Sequence, residues 1–437
     1  MSRVQIFRVA TVSNTPSPYR VKWRVAGHDK TRAFKKKALA EKFQRDLHNA
    51  RDRGEHFSSI TGEPDTFIRT EITFAQCASE YVAKNYAHWQ PASRRSTIQA
   101  LTHSVLLLLR RKPFPYPRAF MAEVVRKSLL NPNALESEDE QTKDALIWLL
   151  KNSIPLQDLS PEVLEACLSK MSKTLKSKEK VSASTQKKRR QALDATLAYG
   201  VMKKYLLSNP ISEVTSKIQL NDEAINPKEI LSPQECRELQ ARIEAMGKRG
   251  SLVSVFIACM WLAGLRPSEV AALRPQDIQL DPLGTSEIVV SRAIVEVGKS
   301  YTDDGSSTVT KHPKARKRGH SRTVPIPNEL VEILESYLLG IAPDALLFPG
   351  PRSKDGKQPI SLSSVEAMWA KARTTHHKLY DLRHANASML LYSGLNVAEV
   401  AELLGHSIEV CSRVYLGVIK SQQRKSITKV NTFLENA

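Results

Sequence analysis

The chain has 437 residues, enough for two to four domains at roughly 100–200 residues each. Lys and Arg number 65 against 45 Asp and Glu, a net charge of +20, which favours a polyanionic partner because each basic side chain set on a phosphate releases counterions. Ordinary globular composition excludes a disordered chain; the lack of a secretion-signal core at the start, or of any apolar run near the roughly 18–20 residues of a membrane span, leads us to expect a cytoplasmic protein with no membrane partner.

The basic excess is uneven: residues 1–60 carry +9, residues 61–230 carry +6 and residues 231–437 carry +5. In the first segment, Arg20–Val25 alternates polar and apolar residues, Gly27-His28-Asp29 supplies a turn, and Thr31–Phe34 returns as a partner strand. Residues 37–53 then read as a helix with Ala38, Ala40, Phe43 and Leu47 on one face. A small sheet with one helix over 1–60 suits DNA contact, with Arg20, Lys22 and Arg24 as the candidate residues.

Residues 70–215 read as helical. A helix begins at Phe74 behind Thr73, a good N-cap, and a second covers 93–110 with Ile98, Leu101, Val105 and Leu109 at helical spacing. Pro113, Pro115 and Pro117 break the pattern, and further helices are expected at 118–130, 141–151 and 161–174. Glu136, Glu138, Asp139 and Glu140 read as a solvated loop. A long helix over Ser184–Tyr205 opens with Lys187, Lys188, Arg189 and Arg190, candidates for gripping a duplex backbone. Residues 216–233 read as a linker, with the last domain running from 228 to 437. Cys77, Cys167, Cys236, Cys259 and Cys411 are widely spaced, so neither a disulfide framework nor a zinc site is expected.

Chemistry-bearing residues concentrate in that last domain. Gly264 ends one helix, and Pro267 with Glu269 opens the next, leaving Arg266 at a junction suited to an anion. A hairpin is expected from 287–295 and 321–327, enclosing a turn with six Lys/Arg between 311 and 322. Leu379–Ser388 sets Arg383 at another helix start. Gly405 closes a helix over 397–404, followed by His406 and a further helix holding Tyr415.

Three segments, AGLRPSEVAALRPQDI, YDLRHANA and LGHSIEVCSRVYLGV, resemble in order the three boxes of the tyrosine recombinases, the phage integrase family. His406 stands nine residues and Arg383 thirty-two residues before Tyr415, as the family pattern requires. The resemblance covers 231–437. The basic N-terminus resembles the family's arm-site binding domain, and the helical middle its core-binding domain with an insertion near 111–160. The implied fold is multidomain and mainly α with small β-sheets, ending in an α+β catalytic domain.

The implied activity is site-specific DNA recombination through a phosphotyrosine and a Holliday junction, on core and arm sites of double-stranded DNA. A homo-tetramer would carry it out, with accessory DNA-bending or directionality proteins and no metal or other cofactor. Tyr415 would be the nucleophile, Arg266 and Arg383 would hold the non-bridging oxygens, and His406 would donate to the same oxygen set. A lysine of the basic turn would protonate the leaving oxygen: Lys314, with Lys317 and then Lys311 as competitors. Glu269 and His384 would support the arginines. Two positions depart from the pattern. Tyr380 stands where His or Lys is usual, and a phenol of pKa near 10 is a poor neutral-pH base; His376 and His377 lie nearby at the wrong spacing. Gly417 follows the nucleophile where His is common. A type IB-like topoisomerase and a DNA-binding regulator on a decayed scaffold are the alternative readings.

Overall fold

The computed structural model describes every residue except 1–3, 14, 58–61, 65–71, 111–113, 134–138, 174–178, 216–224, 312–320, 352, 354–355, 421–433 and 436–437. The chain divides into two compact units, one of 1–86 with 98–217 and the other of 87–97 with 218–437.

In the first unit the N-terminal sheet forms as its alternation requires. Strand β3 (Tyr19–Val25) is central, pairing antiparallel with β1 (Val4–Ile6) and β2 (Ala10–Thr11) on one edge and with β4 (His28–Phe34) on the other. Val21, Trp23 and Val25 are buried beneath α1 (Lys37–Asp52), which contributes Ala40, Leu47 and Ala50. Ala38, expected on that face, is exposed: at about 100° per residue it points away from Ala40. Arg20, Lys22 and Arg24 occupy the opposite side of β3, and Asp29 pairs with Lys22 at 2.8 Å and with Arg24 at 2.5 Å.

The helices expected downstream are present: α2 (Phe74–Tyr86), α3 (Pro91–Leu107), α4 (Arg118–Val124) continued by a π-turn over Val125–Leu129, α5 (Glu140–Asn152), α6 (Pro161–Met171) and α7 (Ala183–Met202). Asp139 is no loose loop residue. Its carboxylate caps α5 by accepting from Thr142 N at 2.8 Å, while Glu136 and Glu138 lie outside the described residues.

The basic run on α7 needs a correction. Arg189 is buried and donates to the carbonyls of Met171 and Lys173, which α6 leaves unpaired at its end; Arg190 donates to Val214 O at 3.1 Å. Only Lys187 and Lys188 of the four are exposed. Four consecutive helical residues sweep most of the circumference, so such a run cannot present one face.

The second unit is built around α9 (Lys248–Leu262). Nearly every residue from Val253 to Leu262 is buried, as expected for a helix apolar on all sides. Around it pack α8 (Pro233–Glu244), opened by a Ser232–Glu235 capping box, α10 (Pro267–Val270), α11 (Asn328–Leu338), α12 (Leu362–Ala372) and α13 (Asp381–Tyr392). Helices α14 (Val397–Leu404) and α15 (Ile408–Val414) follow, and backbone helical over 416–420 continues beyond Tyr415.

The single expected hairpin is instead two small sheets. One is β5 (Ile278–Gln279), β6 (Glu287–Val290) and β9 (Arg322–Pro325); the other pairs β7 (Ala293–Glu296) with β8 (Thr308–Lys311). The run 287–295 breaks at Arg292, whose guanidinium reaches Asp277 at 2.5 Å and Ala272 O at 3.2 Å. All five cysteines are buried, and among the described residues none forms a disulfide. Among the described residues no helix is long and apolar enough to cross a membrane.

The exit from α9 fixes where Arg266 begins. Gly264 adopts φ +62°, and Asn386 of α13 donates to the terminal carbonyls of Trp261 and Leu262, both at 3.0 Å. A Cβ on Gly264 would lie 2.3 Å from Asn386 Oδ1 and 2.7 Å from Leu404. Gly264→Ala is therefore expected to cost about 2–4 kcal/mol through left-handed strain and overpacking. Urea unfolding of the variant checks this; a loss within 0.5 kcal/mol on the same scale would contradict the packing described.

Candidate active site

Helix α14 ends with carbonyls that it cannot satisfy itself. Gly405, at φ +63°, turns the chain so that its own N–H donates to Glu402 O at 3.0 Å and that of His406 to Ala401 O at 2.8 Å. The next three carbonyls each receive an arginine. Arg322 Nε donates to Leu403 O at 2.9 Å, Arg383 Nη2 to Leu404 O, and Arg266 Nη2 to Gly405 O at 2.9 Å. Three cations thus converge on the negative end of one short helix.

Glu269 ties two of them together. Its carboxylate binds Arg322 through two bonds of 2.9 and 2.7 Å, and Arg266 through Nη1 at 2.8 Å and the backbone N at 2.8 Å. Burial alone would raise the Glu269 pKa, but the hydrogen bonds and charge of Arg322, with the charge of Arg266, outweigh it and hold the carboxyl at about 2. Arg266 is thereby aligned while retaining an exposed side-chain fraction of 30%.

Arg383 has no exposed surface and, among the described residues, no carboxylate partner. Nη1 donates to Gly264 O, Nη2 also meets His406 Nε2 at 3.0 Å, and Nε is buried without a partner. Desolvation lowers its pKa to about 10, so it stays charged at neutral pH. A guanidinium only donates, so His406 Nε2 accepts and the neutral ring carries its proton on Nδ1. That Nδ1 is likewise buried and unpartnered. Burial, then the charges of Arg383 and Arg266, push the His406 pKa down to about 4.

Tyr415 closes the cluster. It has no exposed surface and packs among Ala387, Leu391, Val400, Ala401, Leu404, Cys411 and Val418. Its Oη lies 2.9 Å from His384 Nδ1, and burial holds the phenol pKa well above its ordinary value. Tyr380, 38% exposed, sets its ring edge-on to His384 at 5.3 Å between centroids. Below Tyr415 the chain entering this unit crosses the turn that bears it: Ile225 N donates to Val414 O at 2.9 Å. A Cβ on Gly417 would meet Pro227 Cδ at 2.9 Å and Ile225 O at 3.0 Å, which accounts for glycine there.

The structure therefore brings together Arg266, Glu269, Tyr380, Arg383, His384, His406 and Tyr415. It adds Arg322, which the sequence reading passed over. The available signal was Glu269, whose carboxylate has more acceptor sites than one arginine fills. Lys314 and Lys317 lie outside the described residues, and Lys311 ends β8. His377 is buried, with its carbonyl accepting from Trp369 Nε1 at 3.0 Å and its ring stacked on His376, so this pair serves packing. Chemically, the cluster offers a phenol, fixed cations and two unsatisfied buried donors, the equipment for covalent attack at an oxyanion-forming centre.

Residues 229–420 match the Phage integrase family. A tyrosine recombinase of Pseudothermotoga lettingae is 25% identical over 296 residues, covering 66% of this chain and 88% of that protein. A putative prophage phiRv2 integrase of Mycobacterium tuberculosis is 28% identical over 184 residues, 40% of this chain and 45% of that protein, so the match spans less than half of that relative. The solved structure of the XerH site-specific recombinase bound to palindromic difH substrate, a post-cleavage complex, is similar at TM-score 0.48 and 16% identity, covering 83% of this chain and 96% of that one.

Glu269→Gln would leave two arginines without their shared counter-charge, at a cost of about 3–5 kcal/mol at neutral pH. With the folded carboxyl at about 2 against an ordinary 4.5, its stabilisation is complete above the ordinary value and is lost as pH falls toward the folded one. The variant should accordingly show a flatter stability-versus-pH curve across that window, measured by denaturant unfolding at stepped pH.

Proposed function

The chain belongs to the phage integrase family of tyrosine recombinases, and on that premise we propose that it cuts and rejoins duplex DNA through a 3′-phosphotyrosine on Tyr415. The observation that carries this reading is the pair of buried donors without partners, Arg383 Nε and His406 Nδ1, on side chains that touch each other at 3.0 Å beside Arg266. Buried polar groups are almost always paired, so two orphans on adjacent residues suit an incoming anion.

In this mechanism Tyr415 Oη attacks phosphorus and the bond to the 5′-oxygen breaks. Arg266 and Arg383 stabilise charge on the non-bridging oxygens, and His406 adds a hydrogen bond from Nδ1. A lysine of the basic turn, Lys314 or its competitor Lys317, protonates the leaving oxygen. The phosphotyrosine conserves the bond energy, so the 5′-hydroxyl of a partner strand can reverse the step. Because the phenol is enclosed, DNA reaches it only as the packing of α15 on α13 and α14 loosens. An intact nucleophile, arginine pair and histidine support an enzyme over a binding-only scaffold.

Around this chemistry, residues 228–437 form the catalytic domain and 70–215 the core-binding domain, its Lys187 and Lys188 on the duplex backbone. Residues 1–60 hold distal arm sites through Arg20, Lys22 and Arg24. Strand exchange between two sites through a Holliday junction calls for four copies, a homo-tetramer on DNA, with accessory DNA-bending or directionality proteins. The cytoplasm, where such DNA resides, is the expected location.

A nicked suicide duplex bearing the attachment site tests the reading: wild type should accumulate a covalent adduct and Tyr415→Phe none. Arg266→Ala should retain duplex binding but cleave about 10²–10³-fold more slowly, the usual cost of deleting one oxyanion contact. Adduct formation by Tyr415→Phe at the wild-type level would overturn the assignment.

A further inference from the structure

Tyr415 needs somewhere to send its proton. Tyr380, at the position where the resemblance leads one to expect His or Lys, is itself a phenol. Among the described residues, the ring nitrogen that meets the Tyr415 hydroxyl is Nδ1 of His384, at 2.9 Å, with the two rings tilted at 63° and 5.8 Å apart. His384 follows Arg383 directly on α13, and its backbone carbonyl accepts from Ser388 Oγ at 2.9 Å. The Tyr380 ring edge at 5.3 Å flanks the imidazole. On the reading of Tyr415 as nucleophile, the geometry points to His384 as its proton acceptor, a catalytic base in place of the residue that Tyr380 replaces.

The step balances. The phenol O–H bond breaks and its proton passes to Nδ1, giving imidazolium with Nε2–H retained. The O–P bond forms, the P–O5′ bond breaks with its electron pair on O5′, and the basic-turn lysine supplies the proton to that oxygen. In the rejoining step the tyrosinate leaves and recovers its proton from His384. The charged and titratable groups facing the imidazole are Asp381 and Arg383 on its own helix, Tyr380 at the helix start, His406 beyond α14 and Tyr415. Burial, with Arg383 opposing Asp381, lowers its pKa, so the ring is neutral and able to accept at physiological pH.

The test is single-turnover cleavage of the suicide duplex by the full chain across pH. His384→Asn keeps an acceptor near the position of Nδ1 but cannot take a proton. It should bind duplex as wild type does, cleave about 10²–10⁴-fold more slowly near neutrality, and speed up with hydroxide concentration instead of levelling off. Wild type should lose rate as pH falls through the imidazole titration, followed in the same protein by ¹⁵N-histidine NMR. A His384→Asn rate within threefold of wild type overturns the proposal, and so does a faster rate, which would mark the contact as one that only parks the phenol. If the variant does not fold, the wild-type data decide: a rate that fails to track the His384 titration overturns it. Adduct formation by Tyr415→Phe would instead discard the nucleophile assignment, a separate failure.

Discussion

The C-terminus of α14 organises the candidate site of the second unit. Its last three carbonyls, of Leu403, Leu404 and Gly405, hold Arg322, Arg383 and Arg266, residues brought from a strand and from two helix starts. A helix end has unsatisfied carbonyls and a partial negative charge, so it attracts cations without neutralising them. A carboxylate in the same place would neutralise Arg383 and leave little charge for an anion. Here the buried guanidinium keeps its charge at neutral pH although desolvation lowers its pKa to about 10, and the Glu269 carboxylate bonds the two outer arginines directly. The three guanidinium groups are therefore held in fixed positions by the protein itself, the condition under which preorganised donors act most strongly on developing charge.

That arrangement also explains the order of helices around α9. Asn386 and Arg383 lie one turn apart on α13; the first closes the end of α9 and the second reaches both the carbonyl just beyond it and the end of α14. One helix thus fastens two helix C-termini to each other. The apolar core around α9 sets the framework, and the polar contacts at its rim set distances within the site.

Much of this was legible in the sequence. Capping residues such as Ser232, the left-handed glycines 264 and 405, and the alternation of Arg20–Val25 act over a few residues, so pattern suffices to read them. The helix–helix junction at Arg266 was readable for the same reason, whereas the significance of the spacing to His406 and Tyr415 came from the family resemblance. What escaped depended on partners distant in the chain. Arg189 read as a duplex contact and Arg322 was passed over, and both are claimed by carbonyls at the ends of α6 and α14. The 287–295 run read as one strand until Asp277 drew Arg292 aside. The contact between His384 and Tyr415 needed α13 and α15 side by side, which no local period encodes. Net charge points to a polyanionic partner, but the residues that would act on it lie in 231–437, the segment with the smallest basic excess of the three.

The strap of Ile225 and Pro227 across the turn after Tyr415 ties two regions that sequence comparison would treat as independent, a linker and a motif. A family histidine introduced at 417 would collide with the backbone of that linker, and a linker exchanged for another route would leave Gly417 without its reason. The two positions are packed as one unit. Grafting the Tyr415 segment onto a related scaffold therefore requires carrying the linker with it.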